Sequence, residues 1–317
     1  MRLFKKKAAE VETVVIDPLL GDETGRLLEA AVAARDWPTI RSVLTTPMTS
    51  NDRQWLMSVV LDDPNLQLWI NDVVAAERDS TLPLLLKGSR YIRWAWEARG
   101  SGGASTVSQD AWKIWFDRLR QAEDCLDEVV EREPRNADAW QGLITLGRAR
   151  QVDAEERWRR FYGLVAAEPT HFGGNRQMMQ GLMRKWSGSH EQMFEFARQR
   201  TAEFPGTDLP FLIVEAHLEM WENDGHEYLE KPEIGDEILA AAHQSIWHPD
   251  YQRTRRTPLL LNTFCFAFCV ADLYGAADRC FGEIGDNLVT SWPWSQLADD
   301  AVTNFKDMRD YVRDNLS

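Results

Sequence analysis

No stretch of this chain alternates apolar and polar residues for long enough to make a strand, which removes the β and α/β classes from consideration. Cysteine is scarce: Cys125, Cys265, Cys269 and Cys280 form neither a CxxC pair nor the spacing of a secreted disulfide scaffold. The longest apolar run, from Pro258 to Ala271, is broken by Asn262 and Thr263 and is too short to span a bilayer. Lys5, Lys6 and Lys7 are followed by Ala8, Ala9 and Glu10, without the apolar core of a secretory leader, so the expected setting is cytoplasmic, with no membrane insertion. Basic charge is also in deficit. Thirty-six Lys and Arg stand against 50 Asp and Glu, and a net charge of −14 repels phosphate backbones. The two basic clusters, Lys5 to Lys7 and Arg253, Arg255 and Arg256, are short, so no nucleic-acid partner is expected.

Catalytic signatures are missing as well. His190-Glu191 begins a HExxH helix, but position 194 is Phe, so the second metal ligand is lost. His243 and His248 are poorly spaced, and His217 with His226 would need a turn at Asp224-Gly225 to meet. Cys265 and Cys269 share a helix face, but Phe264, Phe266 and Phe268 around them favour buried, inert thiols. The glycine-rich segment 100–105 follows a helix and lacks the Gly-Lys-Ser/Thr of a phosphate loop; it is expected to be a connector. No GxSxG is present. The acidic stretch 215–237, nine carboxylates with one Lys231, has no DxDxDG spacing and reads as a solvated face or a contact for a basic partner. No cofactor, no metal and no enzymatic activity are expected.

What the chain does have is helix. Hydrophobic residues make up 44% and charged residues 27%, enough apolar mass for a sizeable core. Leu27, Leu28, Ala31 and Val32, then Trp55, Leu56, Val59 and Val60, then Leu66, Trp69, Ile70, Val73 and Val74 recur at helical spacing. Helices are expected over 82–99 and over 108–133, the second with Ser108 as N-cap and apolar positions 112, 115, 116, 119, 122, 126, 129 and 130. Asp153 with Glu156 and Ser189 with Gln192 are capping boxes. Pro210 and Pro232 suit first turns of later helices, and three final helices are expected near 256–273, 276–285 and 294–315. Fourteen tryptophans suit wedges between packed helices, with an aromatic ligand platform as the other reading.

A helix-ending proline also recurs. Pro134, Pro169 and Pro205 are 35 and 36 residues apart, and Pro64 lies 70 residues before Pro134. Glu156, Trp158, Phe161, Ala167 and Glu168 are answered by Glu191, Met193, Phe196, Ala202 and Glu203 one period on, as in a helical-hairpin array. With Trp140 and Leu143 after Pro134, then Phe161 and Pro169, the stretch 134–205 resembles the tetratricopeptide repeat (TPR) in a divergent form. Ile144 stands where the family has Gly or Ala, and Arg157 and Gln192 fall near its packing Ala. The segment 93–100 is similar to one in bacterial TPR-like proteins and supplies no mechanism.

The resemblance implies an all-α, right-handed superhelix of about six or seven hairpins. Residues 1–20 would be a flexible arm, 21–105 N-terminal hairpins, and 106–317 repeats with C-terminal capping helices, with 21–317 one continuous solenoid. Carrying over the family's concave-groove positions picks out Gln141, Thr145 and Arg148, then Arg176, Gln180 and Arg184, then Glu219. The family's carboxylate clamp is not reproduced, since Gln141 and Thr145 replace its Lys and Asn. Three arginines on one groove suit an acidic group, unless neighbours such as Asp138 or Glu156 neutralise them. The expected function is a non-catalytic protein-protein interaction adaptor that holds a peptide or protein segment, with Trp and Met packing for shape. A small-molecule sensor or enzyme with a pocket near Trp94 and Trp96, or a structural subunit of a larger complex, are the alternatives.

Overall fold

A computed structural model describes residues 14–100, 107–297 and 300–316, apart from the side chain at 226. Among the described residues the chain forms fifteen α-helices and no strand. They are α1 (Glu23–Ala33), α2 (Trp37–Thr45), α3 (Ser50–Asp62), α4 (Leu66–Ala76), α5 (Leu82–Arg99), α6 (Gln109–Arg132), α7 (Ala137–Arg150), α8 (Ala154–Ala167), α9 (Phe172–Gly181), α10 (His190–Glu203), α11 (Phe211–Asp224), α12 (Pro232–Gln244), α13 (Thr257–Val270), α14 (Tyr274–Ile284) and α15 (Ala301–Asp314). None is long and apolar enough to cross a membrane.

The boundaries follow local chemistry. Backbone N–H groups at helix starts have no intrahelical acceptor, and side-chain oxygens take their place. Asp22 accepts from Gly25, Ser108 from Ala111, Asp153 from Glu156 and Ser189 from Gln192, at 2.7, 3.1, 2.9 and 3.2 Å. Replacing Ser189 by Ala is expected to cost about 1 kcal/mol. A urea unfolding curve checks it, and an unchanged midpoint would mean that the N-cap bond contributes nothing. The final helix starts later than the apolar pattern predicts. Trp294–Gln296 is a separate short 3₁₀ turn, and α15 waits for its cap at Asp300, which accepts from Val302 and Thr303.

The helices group into two compact units. The larger comprises Asp22–Met220 and Ala240–Thr257. Its core runs continuously from α1 to α7, through Leu28, Ile40, Leu56, Ile70, Leu86, Leu119, Leu126 and Leu143. Close approach of α5 and α6 depends on Gly88, where an added Cβ would stand 2.8 Å from Leu126 Cγ and 3.1 Å from the Ala122 carbonyl. Along α6 the buried face is Trp115, Leu119, Ala122, Cys125, Leu126 and Val129. Phe116, expected on that face, is 52% exposed; it lies beside the stripe and covers Trp112 and Trp115 from outside, 5.9 and 4.8 Å between ring centres. The repeat-like helices α7 to α10 pack in sequence, with Leu143 and Phe161 buried and the Trp140 indole N–H donating to the Pro134 carbonyl at 2.9 Å.

The smaller unit comprises Trp221–Leu239, Pro258–Ser317 and the segment preceding Asp22, so far as they are described. Its centre is Trp294, fully buried among Phe266, Phe281 and Phe305. Cys265, Cys269 and Cys280 are buried free thiols, and burial pushes Cys265 and Cys280 well above the ordinary thiol value. The expected glycine connector falls largely on residues 101–106, and the expected N-terminal arm largely on 1–13; both lie outside the described residues.

Candidate functional site

The start of helix α3 reaches α7, on which the sequence places a groove, and each of residues 50–54 makes a polar contact with a segment distant in the chain. Ser50 donates to Glu168, and Asn51 Nδ2 donates to Asp208 at 2.6 Å. Asp52 accepts from the Arg255 backbone N–H at 2.9 Å. Arg53 pairs with Asp138 at 2.5 Å, and Gln54 Nε2 donates to Gln141 Oε1 at 2.6 Å. Gly173 makes room for this approach, since a Cβ there would meet both the Gln54 and Gln141 amide oxygens at 2.8 Å.

Behind this contact, α3, α5, α7 and α9 border a partly open pocket of about 400 Å³. Its walls follow from helical spacing: Gln54, Met57, Ser58 and Leu61 on α3, and Ser89, Ile92, Arg93 and Trp96 on α5, each at i, i+3, i+4 and i+7. Asp138, Gln141, Gly142, Thr145 and Arg148 of α7, with Gly173, Arg176 and Gln177 of α9, complete it, and Arg256 closes one side. Met57, Leu61, Ile92 and Trp96 make an apolar wall facing a polar one.

Four of the seven sequence-selected groove residues, Gln141, Thr145, Arg148 and Arg176, therefore line one cavity. Gln180 stands beside it and accepts from Arg148 Nη1. Arg184 lies in the exposed turn Arg184–Trp186, off the pocket, because α9 ends at Gly181 and no longer holds the helical phase. Glu219 is held by Lys185 and is not on the wall. Trp96 is on the wall, whereas Trp94 is covered by the Arg118 guanidinium at 3.5 Å from its ring centre. In the acidic stretch, Glu222, Asp224, Glu227, Glu230, Glu233 and Asp236 are exposed.

The electrostatics of the pocket are one-sided. Arg93, Arg148, Arg176 and Arg256 face a single wall carboxylate, Asp138. Asp138 is already engaged: Arg53 Nη2 stands beside Oδ2 as an ion pair, off the angle of a hydrogen bond, and His171 Nε2 lies 3.2 Å from Oδ1. His171 Nδ1 accepts from the Gly174 N–H, while Nε2 lies within hydrogen-bond distance of both Asp138 Oδ1 and the Gln54 amide nitrogen. Burial opposes the Asp138 charge, but the His171, Arg53 and Gln54 contacts outweigh it and hold the carboxyl below its ordinary value.

Of the four arginines, Arg93 pairs with Asp62, and Arg176 donates to Glu215 at 2.5 Å. The sequence offered Asp138 and Glu156 as neutralising partners for Arg148, but Asp138 is taken as above and Glu156 by Arg159 and Arg160. Arg148 instead lies over the Trp186 ring at 5.0 Å, with its Nε buried and unpartnered. Burial, with Arg176 adding to it, pushes Arg148 down to about 10. Arg256 donates to Gln54 at 2.9 Å and covers the Phe172 ring at 4.7 Å, and its Nε is also buried without a partner. Burial lowers Arg256 too. Arg93, Arg256 and Gln54 are absent from the sequence-selected set. Only the Arg253, Arg255, Arg256 cluster signalled one of them.

Comparison of the chain with protein-family models, with curated proteins and with solved structures finds no match.

Proposed function

We infer that this chain is a non-catalytic, TPR-like helical-repeat adaptor, a right-handed superhelix whose concave face receives an acidic group of a protein or peptide segment. The observation that carries this reading is the charge imbalance of the pocket: of its four guanidinium groups Arg148 and Arg256 have no ion-pair partner among the described residues, and its one carboxylate is already engaged, inside a protein of net charge −14. Buried arginines without acidic partners are costly in the unliganded fold, and an incoming anion relieves that cost. Arginine suits the role because its planar fork grips carboxylate and phosphate oxygens in pairs. Met57, Leu61, Ile92 and Trp96 supply apolar contact for the residue that carries the acid.

A small-molecule sensor is the second reading. It is favoured by the packing of α3 across the mouth, which leaves a compact cavity containing Trp96.

The test is a quantitative pull-down from the host lysate with wild type, the double variant Arg148→Glu/Arg176→Glu, and Arg184→Glu. The adaptor reading expects a partner retained by wild type and by Arg184→Glu and lost by the double variant, with helical circular dichroism unchanged. Equal retention by a folded double variant sinks it.

A further inference from the structure

Building on the reading of the pocket as an anion site, we propose that its ligand carries a phosphate monoester, seated on Arg148, Arg176 and Arg256, with its organic part against Trp96 and Ile92. Four observations lead to this class. Arg148 and Arg256 have no carboxylate within ion-pair distance among the described residues, and each keeps a buried, unpartnered Nε. Arg176 is close enough to act electrostatically on both, and its own charge is offset by Glu215. Asp208 and Glu215 act on Arg256 at longer range, but neither Arg148 nor Arg256 has a direct ion pair, and a group of charge near −2 at pH 7 supplies more to the pair than a monocarboxylate does.

The second observation is a further orphan: Gln177 is among the pocket-lining residues, and its Oε1 is buried with no donor. A buried acceptor left unmatched is unfavourable, so a ligand offering a hydroxyl or amide N–H near its phosphate is preferred. Thirdly, the apolar wall calls for an organic ester rather than inorganic phosphate. Fourthly, the volume of about 400 Å³ admits a small metabolite or one phosphorylated side chain, not an extended segment. Free phosphorylated metabolite and phosphorylated peptide side chain share this chemistry.

The experiment is calorimetric titration of the full chain with phenyl phosphate, inorganic phosphate and benzoate, and with free O-phosphoserine beside a phosphoserine pentapeptide. Phenyl phosphate is expected to bind, inorganic phosphate more weakly, and benzoate at least about tenfold more weakly. Affinity should fall as pH drops through about 6, where the phosphate loses its second charge. Arg148→Gln and Arg256→Gln should each weaken phenyl phosphate about tenfold or more, and Arg184→Gln should not. Arg148→Gln is expected to keep or raise Tm, because it removes a buried, unpaired charge, so lost binding will not reflect unfolding.

A pentapeptide binding more tightly than free phosphoserine assigns the phosphate to a protein partner; equal or weaker binding assigns it to a metabolite, and either supports the class. Benzoate binding as well as phenyl phosphate, without the pH step, overturns the phosphate assignment and leaves the anion pocket standing. If no anion binds but the pull-down partner is still lost from Arg148→Glu/Arg176→Glu, the phosphate inference fails and the adaptor reading survives. If no anion binds and the partner is retained, both fail.

Discussion

Trp294→Ala is expected to destabilise the smaller unit by about 3–5 kcal/mol, the range for deleting a large aromatic side chain from a packed core. The indole is fully buried, and its ring lies 5.8 Å from Phe266, 5.8 Å from Phe281 and 5.2 Å from Phe305. Three aromatic partners arranged edge-on or stacked give it contacts beyond simple area burial. Its N–H donates to Asn262 Oδ1 at 2.8 Å, while Asn262 Nδ2 donates to the carbonyls of Pro258 and Leu288 and Asn304 Nδ2 donates to the Trp294 carbonyl. Truncation therefore removes ring contacts and also strips a donor from a buried amide that holds two backbone segments. Trp294→Phe separates the terms: it keeps much of the ring packing, loses the hydrogen bond, and should cost clearly less than Ala. Denaturant unfolding read by circular dichroism measures both. A loss below about 1 kcal/mol for Ala would mean that the cluster can collapse into the gap.

Asp138→Asn is the second large effect. Asp138 is buried, and its carboxylate is the acceptor on which Arg53 and His171 converge. Breaking a buried pair by removing one partner typically costs about 3–5 kcal/mol, because the other charge stays behind. Arg53 is partly exposed, which places the expected value at the lower end of that range. The pH dependence has a definite sign. The folded carboxyl lies below its ordinary value, so the unfolded chain binds the proton more readily. The stability contributed by Asp138 is fully present above the ordinary carboxylate value of about 3.9 and is lost as pH falls through the lower, folded value. The difference between wild type and Asp138→Asn should therefore stay level from pH 8 to about 5 and close in acid. A difference that grew on acidification would contradict this account. Because Arg53 joins α3 to α7 through Asp138, the same variant should loosen the α3 contact and raise amide exchange in its first turn.

Helix limits were legible in the sequence wherever a local rule applied. α5 runs over Leu82–Arg99 as the apolar spacing predicts, and Ser108, Asp153 and Ser189 cap the helices they precede. Four of the seventeen residues lining the pocket were legible through the resemblance, whose groove positions pick out Gln141, Thr145 and Arg148 on one stripe of α7 and Arg176 on α9. At Arg184 the carry-over of the family's groove positions fails. It assumed that α9 continues, whereas the helix ends at Gly181 and its phase is lost.

Sequence by itself determined the all-helical class, most helix limits, the buried stripes and the acidic excess, because each depends on residues within about one helical turn or on composition alone. Tertiary structure decided the rest. The contacts of α3 join residues far apart in the chain, Asn51 to Asp208, Asp52 to Arg255 and Gln54 to Arg256, and no local spacing encodes such pairings. They put Arg256 on the wall of the same pocket as Arg148 and Arg176, where the sequence suggested a concave groove. Which arginine finds a direct carboxylate partner and which does not depends on side chains from α3, α9 and α11 meeting in space. The charge imbalance on which the proposed anion site rests therefore exists only in the folded chain.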